Sequence, residues 1–305
     1  MLSDIAQKNK FTLGLFFPIE AYKGSIPTME NQVSLAQKAE AIGFKSLWFR
    51  DVPFHDPRFG DAGQLYDPWV YMTHIMNHTK TIQLATGSII LPLRHPVHTA
   101  KAAFSLQNLS NNRLILGVAS GDRPIEYPAF NKDVNNKSAL FRESFQYIRD
   151  LEKSFPNIHQ DNLGKVVGNI DLLPKPASSI PMLVTGHSGQ SLEWIAAHSD
   201  GWIYYPRNIQ FLQRNMQEWT TSLAKTSQLW KPFAQSLYID LLSNSDAKPT
   251  PIHLGFQTGA KYLLEFLKTL ESHGVNHVII NMKYGSRSAN AMLDDMATHV
   301  LPHLN

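Results

Sequence analysis

The 305-residue chain contains no cysteine, which excludes disulfides, thiolate catalysis, zinc–cysteine sites and iron–sulfur clusters. Charge is also scarce, because only 17% of the residues are charged and the net charge is +3. A nucleic-acid-binding protein needs a concentrated basic surface, so we expect no nucleic-acid partner. Apolar runs long enough to span a membrane are missing, and the first ten residues lack the apolar core of a signal peptide. We therefore expect a cytoplasmic protein without a membrane segment.

Short apolar runs that suit buried strands alternate along the chain with stretches of helical periodicity. Eight such runs are Phe11–Phe17, Ser46–Phe49, Ile82–Ala85, Leu114–Val118, Pro181–Thr185, Gly201–Tyr205, Ser236–Leu242 and Asn276–Asn281. The first four begin about 35 residues apart, the length of one strand–helix–strand unit. Since only a crossover returns a strand parallel to its neighbour, eight such units predict a closed (β/α)₈ barrel, a TIM barrel. An open doubly wound sheet is the alternative, but the first strand lacks the G-x-G-x-x-G turn typical of that fold.

We expect residues 1–305 to form a single domain with an irregular insertion around 154–180, where Pro, Gly and Asn are frequent. One early helix, over Thr28–Ile42, carries start and stop signals. Thr28 suits its N-terminal cap, and Gly43 suits the left-handed position after its end.

In a barrel of this kind the functional site lies on the loops that follow the strands. The segment Thr185–Ser191 follows the fifth predicted strand and opens a helix. Gly186 and Gly189 let the backbone approach a ligand, Ser188 and Ser191 add hydroxyl donors, and the N–H groups of a helix start attract anions. This pattern predicts a phosphate-binding turn. The alternative is a plain glycine turn in which Ser188 caps the helix.

Three other loops carry candidate residues. In Gly117–Arg123, the small residues leave room for a ligand and Arg123 suits a phosphate or carboxylate, although a turn with a solvated arginine is the alternative. Gly87 interrupts a β-prone run, which indicates a bulge or a close backbone contact. After the second strand, Asp51 and His55 are candidate acid–base groups, unless Asp51 only pairs with Arg50 at the surface. We expect no metal site, because no H-x-H motif follows the first strand.

Several motifs keep the order and spacing of one known family. They are Asp67-Pro68-Trp69, Thr79-Lys80-Thr81-Ile82, Ile90-Leu91-Pro92, His95-Pro96-Val97, the run Asn111–Gly117, Phe130 with Asn135-Asn136, and Glu193-Trp194. Through these motifs the chain resembles the bacterial luciferase-like flavin monooxygenase family over nearly its whole length. That family has a (β/α)₈ barrel and binds reduced FMN or, in another branch, the deazaflavin F420.

The resemblance implies specific cofactor contacts. The FMN phosphate is expected against the Gly186–Gly189 turn, at the backbone of His187 and Gly189 and the hydroxyls of Ser188 and Ser191. Gly87 and Ser88 correspond to a bulge with a non-prolyl cis peptide under the flavin ring. Ser120 stands where the luciferase has a phosphate-binding arginine, so Arg123 is the expected substitute.

Other positions depart from the luciferase: Val52 replaces an active-site histidine, Asp51 a glutamate and Ala119 a reactive thiol. These departures argue against light emission and long-chain aldehyde chemistry. On the substrate side the resemblance places Phe17, Asp51, His55, Ser88 and Arg123.

The function implied is an FMN-dependent monooxygenase acting on a small organic substrate with O₂, with reduced flavin supplied by a separate flavin reductase. Two alternatives stay open: an F420-dependent hydride-transfer oxidoreductase on the same scaffold, and a non-catalytic flavin-binding protein. Relatives pair through helices near the second and third strands, so a homodimer is expected by analogy.

Overall fold

A computed structural model of the chain describes Ile5, residues 7–226 and residues 230–304. Its centre is a ring of eight parallel strands: β1 (Thr12–Phe16), β2 (Ser46–Phe49), β3 (Gln83–Thr86), β5 (Leu114–Ala119), β8 (Met182–Thr185), β9 (Gly201–Tyr204), β10 (Phe233–Leu241) and β13 (His277–Asn281). The ring closes where β13 pairs in parallel with β1, with Thr12 opposite His277. The predicted TIM barrel is therefore confirmed.

Helices join the barrel strands and cover the outside of the ring. They are α1 (Gln32–Ile42), α2 (Pro68–Met76), α3 (Pro96–Leu109), α4 (Lys137–Leu151), α5 (Leu192–His198), α6 (Ile209–Lys225), α7 (Ala260–Ser272) and α8 (Ala289–His299). In the described part of the chain, no helix is both long enough and apolar enough to cross a membrane.

Five short strands lie outside the ring. β4 (Ile89–Ile90) pairs with β5, while β6 (Ile158–Gln160) and β7 (Gly164–Val166) form a hairpin within the segment expected to be irregular. β11 (Thr250–Ile252) and β12 (Gly255–Thr258) form a second hairpin after β10. This second hairpin matters for function because its turn reaches the carboxyl end of the barrel.

The predicted start of α1 at Thr28 is wrong. The helix begins at Gln32 after Asn31, which adopts a left-handed conformation with φ of 56°. The Thr28 N–H and hydroxyl donate to the Glu20 carboxylate at 2.6 and 2.9 Å, and its Oγ1 accepts the Glu30 N–H at 3.2 Å, in a turn that precedes the helix. The predicted end is confirmed, since Gly43 follows the helix with φ of 108°.

The barrel interior is packed at its amino-terminal end. A buried apolar layer there consists of Ile5, Trp48, Ala85, Ile115, Leu183, Ile203, Ala234 and Ile279. Below this layer the buried His277 ring lies 2.8 Å from both Thr12 Oγ1 and Ser46 Oγ, which are its neighbours on β1 and β2. Space for a ligand therefore exists only toward the opposite end of the described barrel.

Candidate functional site

A cavity of about 430 Å³ opens at the carboxyl end of the barrel. This volume lies within the usual range for small-molecule and cofactor sites. Residues at or just after all eight ring strands line it, including Phe16, Arg50, Gly87, Ala119, Thr185, Tyr204, Tyr238 and Asn281. Sites in this fold lie at this end, so the cavity is the candidate active site.

The predicted phosphate-binding turn forms one wall of the cavity. Gly186, Ser188 and Gly189 all have positive φ, which folds the backbone tightly after β8. Ser188 Oγ donates to the Thr185 carbonyl at 2.9 Å and accepts the Ser120 N–H at 3.2 Å, which ties the turn to the β5 loop. Within the described residues, the backbone N–H groups of His187, Ser188 and Gly189 have no protein acceptor. The turn can therefore present several donors to an anion.

The far side of this turn packs against α4. A Cβ added at Gly189 would lie 2.8 Å from Ser138 Oγ, and that hydroxyl donates to the Gly189 carbonyl at 2.7 Å. Gln190 reinforces the contact by donating to the Ser138 carbonyl at 2.9 Å. Ser191, also a predicted cofactor ligand, is exposed and accepts the Trp194 N–H as the cap of α5. The alternative cap, Ser188, is not the one used.

Gly87 and Ser88 are joined by a cis peptide bond, as the resemblance implies. They line the cavity between β3 and β4, and Ser88 Oγ lies 2.6 Å from Thr185 Oγ1. A Cβ at Gly87 would come within 2.6 Å of the Phe16 ring, so glycine permits a close approach of backbone and aromatic ring. The cis bond thus sits next to the phosphate-binding turn.

The structure separates the two expected catalytic residues, Asp51 and His55. Asp51 lines the cavity, but Arg94 Nε and Nη2 each donate to its carboxylate at 2.8 Å and the Ile90 N–H adds a third bond at 3.2 Å. His55 lies outside the cavity, where its Nε2 is 2.8 Å from Ser25 Oγ. A catalytic role for either residue stays a prediction. The geometry gives Asp51 a bidentate ion pair that holds β4 in place.

Arg123 has unexpected partners. It is buried at the cavity wall, donates to the carbonyls of Phe54 and Asp61 at 3.2 and 2.9 Å, and stacks on the Phe59 ring. Ser120 lies beside the phosphate-binding turn. The Arg123 guanidinium instead binds backbone carbonyl groups of the loop after β2. Arg123 as a phosphate ligand stays a prediction.

The alternation of side-chain directions at the end of β1 corrects the expectation that Phe17 faces the substrate. Phe16 lines the cavity, whereas Phe17, which was expected to face the substrate, is fully buried against Phe49 with ring centroids 4.6 Å apart. The side chains of successive strand residues point to opposite faces. The expected aromatic residue is therefore one position earlier.

Sequence reasoning missed a half-buried ion pair in the cavity wall. Arg50 Nη1 donates to Asp61 at 2.8 Å, and Tyr22 also donates to this carboxylate at 2.6 Å. Burial has the largest single effect on Asp61 and would raise its pKa, but the Arg50 charge together with hydrogen bonds from Arg50, Tyr22 and the Gly63 N–H outweighs it and lowers the pKa to about 2. Burial also raises the pKa of nearby Tyr238 to about 12. The pair is thus charged and the phenol neutral at neutral pH.

Sequence reasoning also missed Glu126. It lines the cavity with only 5% of its surface exposed, and its Oε1 has no partner among the residues that the structure describes. Burial raises the pKa of Glu126, while the nearby Arg123 charge opposes this effect. The only sequence signal was one acidic residue in the largely apolar segment Pro124–Phe130.

The sequence profile of the family described as luciferase-like monooxygenase matches residues 11–234. The chain belongs to the luciferase-like monooxygenase family.

Two relatives illustrate the likeness. The alkanal monooxygenase alpha chain of Photorhabdus luminescens is 27% identical over 169 residues, which span 54% of this chain and 45% of that protein. The chain thus matches about half the length of this relative. An uncharacterized protein of Mycobacterium tuberculosis is 30% identical over 195 residues, covering 57% of this chain and 67% of that protein.

Solved structures share the fold at low identity. An F420-dependent secondary alcohol dehydrogenase with an F420–acetone adduct superposes with a TM-score of 0.80 at 16% identity, covering 97% of this chain and 99% of that one. The oxygenating constituent of 3,6-diketocamphane monooxygenase from Pseudomonas putida, in complex with FMN, has a TM-score of 0.75 at 13% identity, with 97% and 99% covered. This luciferase-like fold thus occurs with either cofactor.

Proposed function

We propose that this chain is a flavin-dependent monooxygenase that uses reduced FMN and O₂ to oxidise a small organic substrate. The observation that carries the proposal is the turn Gly186–Gly189, whose backbone donors lie beside the cavity and next to the cis Gly87–Ser88 bond. The alkanal monooxygenase among the relatives supports the monooxygenase activity, and the FMN complex among the fold neighbours supports the cofactor.

The residues present fit such a cofactor. His187, Ser188 and Gly189 would hold the phosphate by their N–H groups, and the backbone at Gly87–Ser88 would support the ring system. Phe16 and Trp48 supply apolar walls that exclude water. A bound flavin supplies hydride transfer and reaction with O₂, and the protein's part is to position the reactants.

F420-dependent hydride transfer is the second candidate, because two of the fold neighbours are F420-dependent enzymes. A non-catalytic flavin-binding protein is the third. Titration of the purified chain with FMN, reduced FMN and F420, followed by fluorescence, separates the first two. Oxygen exposure of the anaerobically reduced complex tests the third, since a carrier turns over no substrate from a panel.

A matched pair of variants tests the cofactor site itself. Gly189→Ala brings a methyl group against Ser138 at a positive φ, so the turn must shift and FMN affinity should fall about tenfold. Gly164→Ala introduces the same backbone strain in the open β6–β7 hairpin and should leave FMN affinity unchanged. Wild-type protein that binds neither FMN nor F420 at micromolar concentration would overturn the proposal.

The proposal includes a separate flavin reductase and a second copy of the chain as partners. Exposed apolar side chains next to or on α2, namely Leu65, Tyr66 and Val70, support a homodimer through this side of the barrel. Sedimentation equilibrium tests the dimer, and Val70→Lys should weaken it.

A further inference from the structure

The Glu126 carboxyl differs from the Asp51 and Asp61 carboxyls of the cavity wall. Asp51 and Asp61 each receive two bonds from an arginine, at Arg94 and Arg50 respectively. Glu126 is as buried as Asp51, but its Oε1 is unpartnered within the described chain. A buried polar atom without a partner is costly, so one that lines a cavity is available to a ligand bound there.

We propose that Glu126 exchanges a proton with the reactant bound in the cavity. The inference rests on the proposed function, because the electrons come from a reduced flavin or deazaflavin. The Oε1–H bond breaks as a new O–H bond forms on the reactant. A bound reduced cofactor would supply a hydride: with O₂ and an organic substrate, this hydride and the Glu126 proton would leave in water while the other oxygen atom enters the substrate, and without a substrate they would give H₂O₂. With a carbonyl compound, the same hydride and proton give an alcohol.

The surroundings of Glu126 suit both protonation states. Arg123 contributes a positive charge and the Phe54 backbone N–H stabilises the charged form, whereas Asp122 and Asp51 disfavour it. The Tyr127 phenol beside it stays protonated, since burial raises its pKa to about 12. Asp122 is exposed at the cavity mouth, so proton exchange with solvent has a short path.

The first measurement does not depend on activity. In protein labelled with ¹³C at the glutamate carboxyl carbons, the signal that Glu126→Gln removes belongs to Glu126. Its titration midpoint should lie above those of exposed glutamates, because burial opposes the charged form. A midpoint within their range would overturn the inference.

The second measurement uses photoreduced FMN bound to the protein and mixed with air-saturated buffer. The wild-type reoxidation rate should fall as pH rises through the Glu126 midpoint, because only the protonated carboxyl donates. Glu126→Gln should be about a hundredfold slower at low pH and lose this step, with FMN affinity changed less than about threefold. Glu126→Asp should restore the step, and Glu265→Gln, on the exposed face of α7, should change nothing.

Three outcomes count against the inference in different ways. If wild-type protein binds no flavin, the proposed function fails and this inference fails with it. If binding persists and Glu126→Gln keeps the pH step, only the inference is wrong. If Glu126→Gln weakens FMN binding more than tenfold and the rate falls only in proportion, Glu126 is a binding residue and not a proton donor.

Discussion

The buried polar side chains around His277, at the amino-terminal end of the barrel, hydrogen-bond to one another, whereas two side chains of the cavity wall each have an atom without a partner in the described chain. His277 contacts Thr12 and Ser46, and the Trp48 indole donates to Ser46. Around the cavity, Arg50 Nε and Glu126 Oε1 have no partner in the residues described. The first arrangement stabilises a closed core, and the second leaves binding capacity for a ligand. Buried atoms of Gln83 and Gln235 are also unpartnered in the described chain but lie outside the cavity lining, so a free polar atom indicates a ligand site only where it faces the cavity.

The largest expected loss of stability comes from a substitution at the packed amino-terminal end of the barrel. A Cβ at Gly14 would lie 2.2 Å from Ser46 Oγ and 2.7 Å from His277 Nε2. Gly14→Ala should therefore disrupt the network and lower the free energy of unfolding by about 3 kcal/mol in urea titrations. Gly24→Ala is the control, because its surroundings are open and only its positive φ of 73° costs energy, about 1 kcal/mol. Equal losses in the two variants would show that the network tolerates the added methyl group.

The next effect tests whether Asp51 belongs to the structure or to the chemistry. Asp51→Asn leaves Arg94 without its main partner, which should lower the free energy of unfolding by about 2 kcal/mol. The loss should be smaller than for a fully buried ion pair, because the Arg94 side chain is 28% exposed. Asp246→Asn breaks an exposed pair with Lys261 and should cause no measurable change. Unchanged stability together with a lost pH step in flavin reoxidation would instead assign proton transfer to Asp51.

How far the sequence predicts this molecule differs between its parts. Apolar runs such as Ser46–Phe49 report burial on both faces directly, and they predicted the barrel and its strand order. The turn Gly186–Gly189 was also predictable, because glycine at tight turns is a local requirement.

Long-range contacts were not predictable in the same way. Asp61 lies 11 residues from Arg50 in an irregular loop, with no periodicity to connect the two. The partners of Arg123 are Phe54 and Asp61, which are 69 and 62 residues away. Such pairs form where the loops that follow different strands contact one another at the carboxyl end of the barrel. No local sequence pattern predicts which loop residues will be in contact.

A third prediction concerns how the free energy of unfolding depends on pH through His277, at the packed end of the barrel. Burial lowers the pKa of His277 to about 3, below its ordinary value of 6.5. The unfolded chain therefore takes up a proton in this range that the folded chain does not bind. Stability should be fully present above pH 6.5 and should fall by up to about 1.4 kcal/mol per pH unit as pH decreases toward 3.

Urea titrations from pH 7 to pH 4 measure this dependence. His277→Asn keeps hydrogen-bonding groups near Thr12 but does not titrate, so its curve should be flatter by the His277 contribution. The exposed His303 is the control, and His303→Asn should follow the wild-type curve. Parallel curves for wild type and His277→Asn would mean that burial does not keep the His277 ring neutral.

The smallest effect separates helix capping from cofactor binding at the edge of the site. Ser191 accepts the Trp194 N–H at 3.2 Å and lies outside the cavity lining, although the resemblance assigned it to the phosphate. Ser191→Ala should cost about 1 kcal/mol of stability through loss of the cap and leave FMN affinity unchanged. Ser191→Asp retains a capping oxygen and should restore stability. If Ser191→Ala lowered FMN affinity as much as Gly189→Ala, the Ser191 hydroxyl would be a phosphate ligand. The cofactor site would then include the first turn of α5.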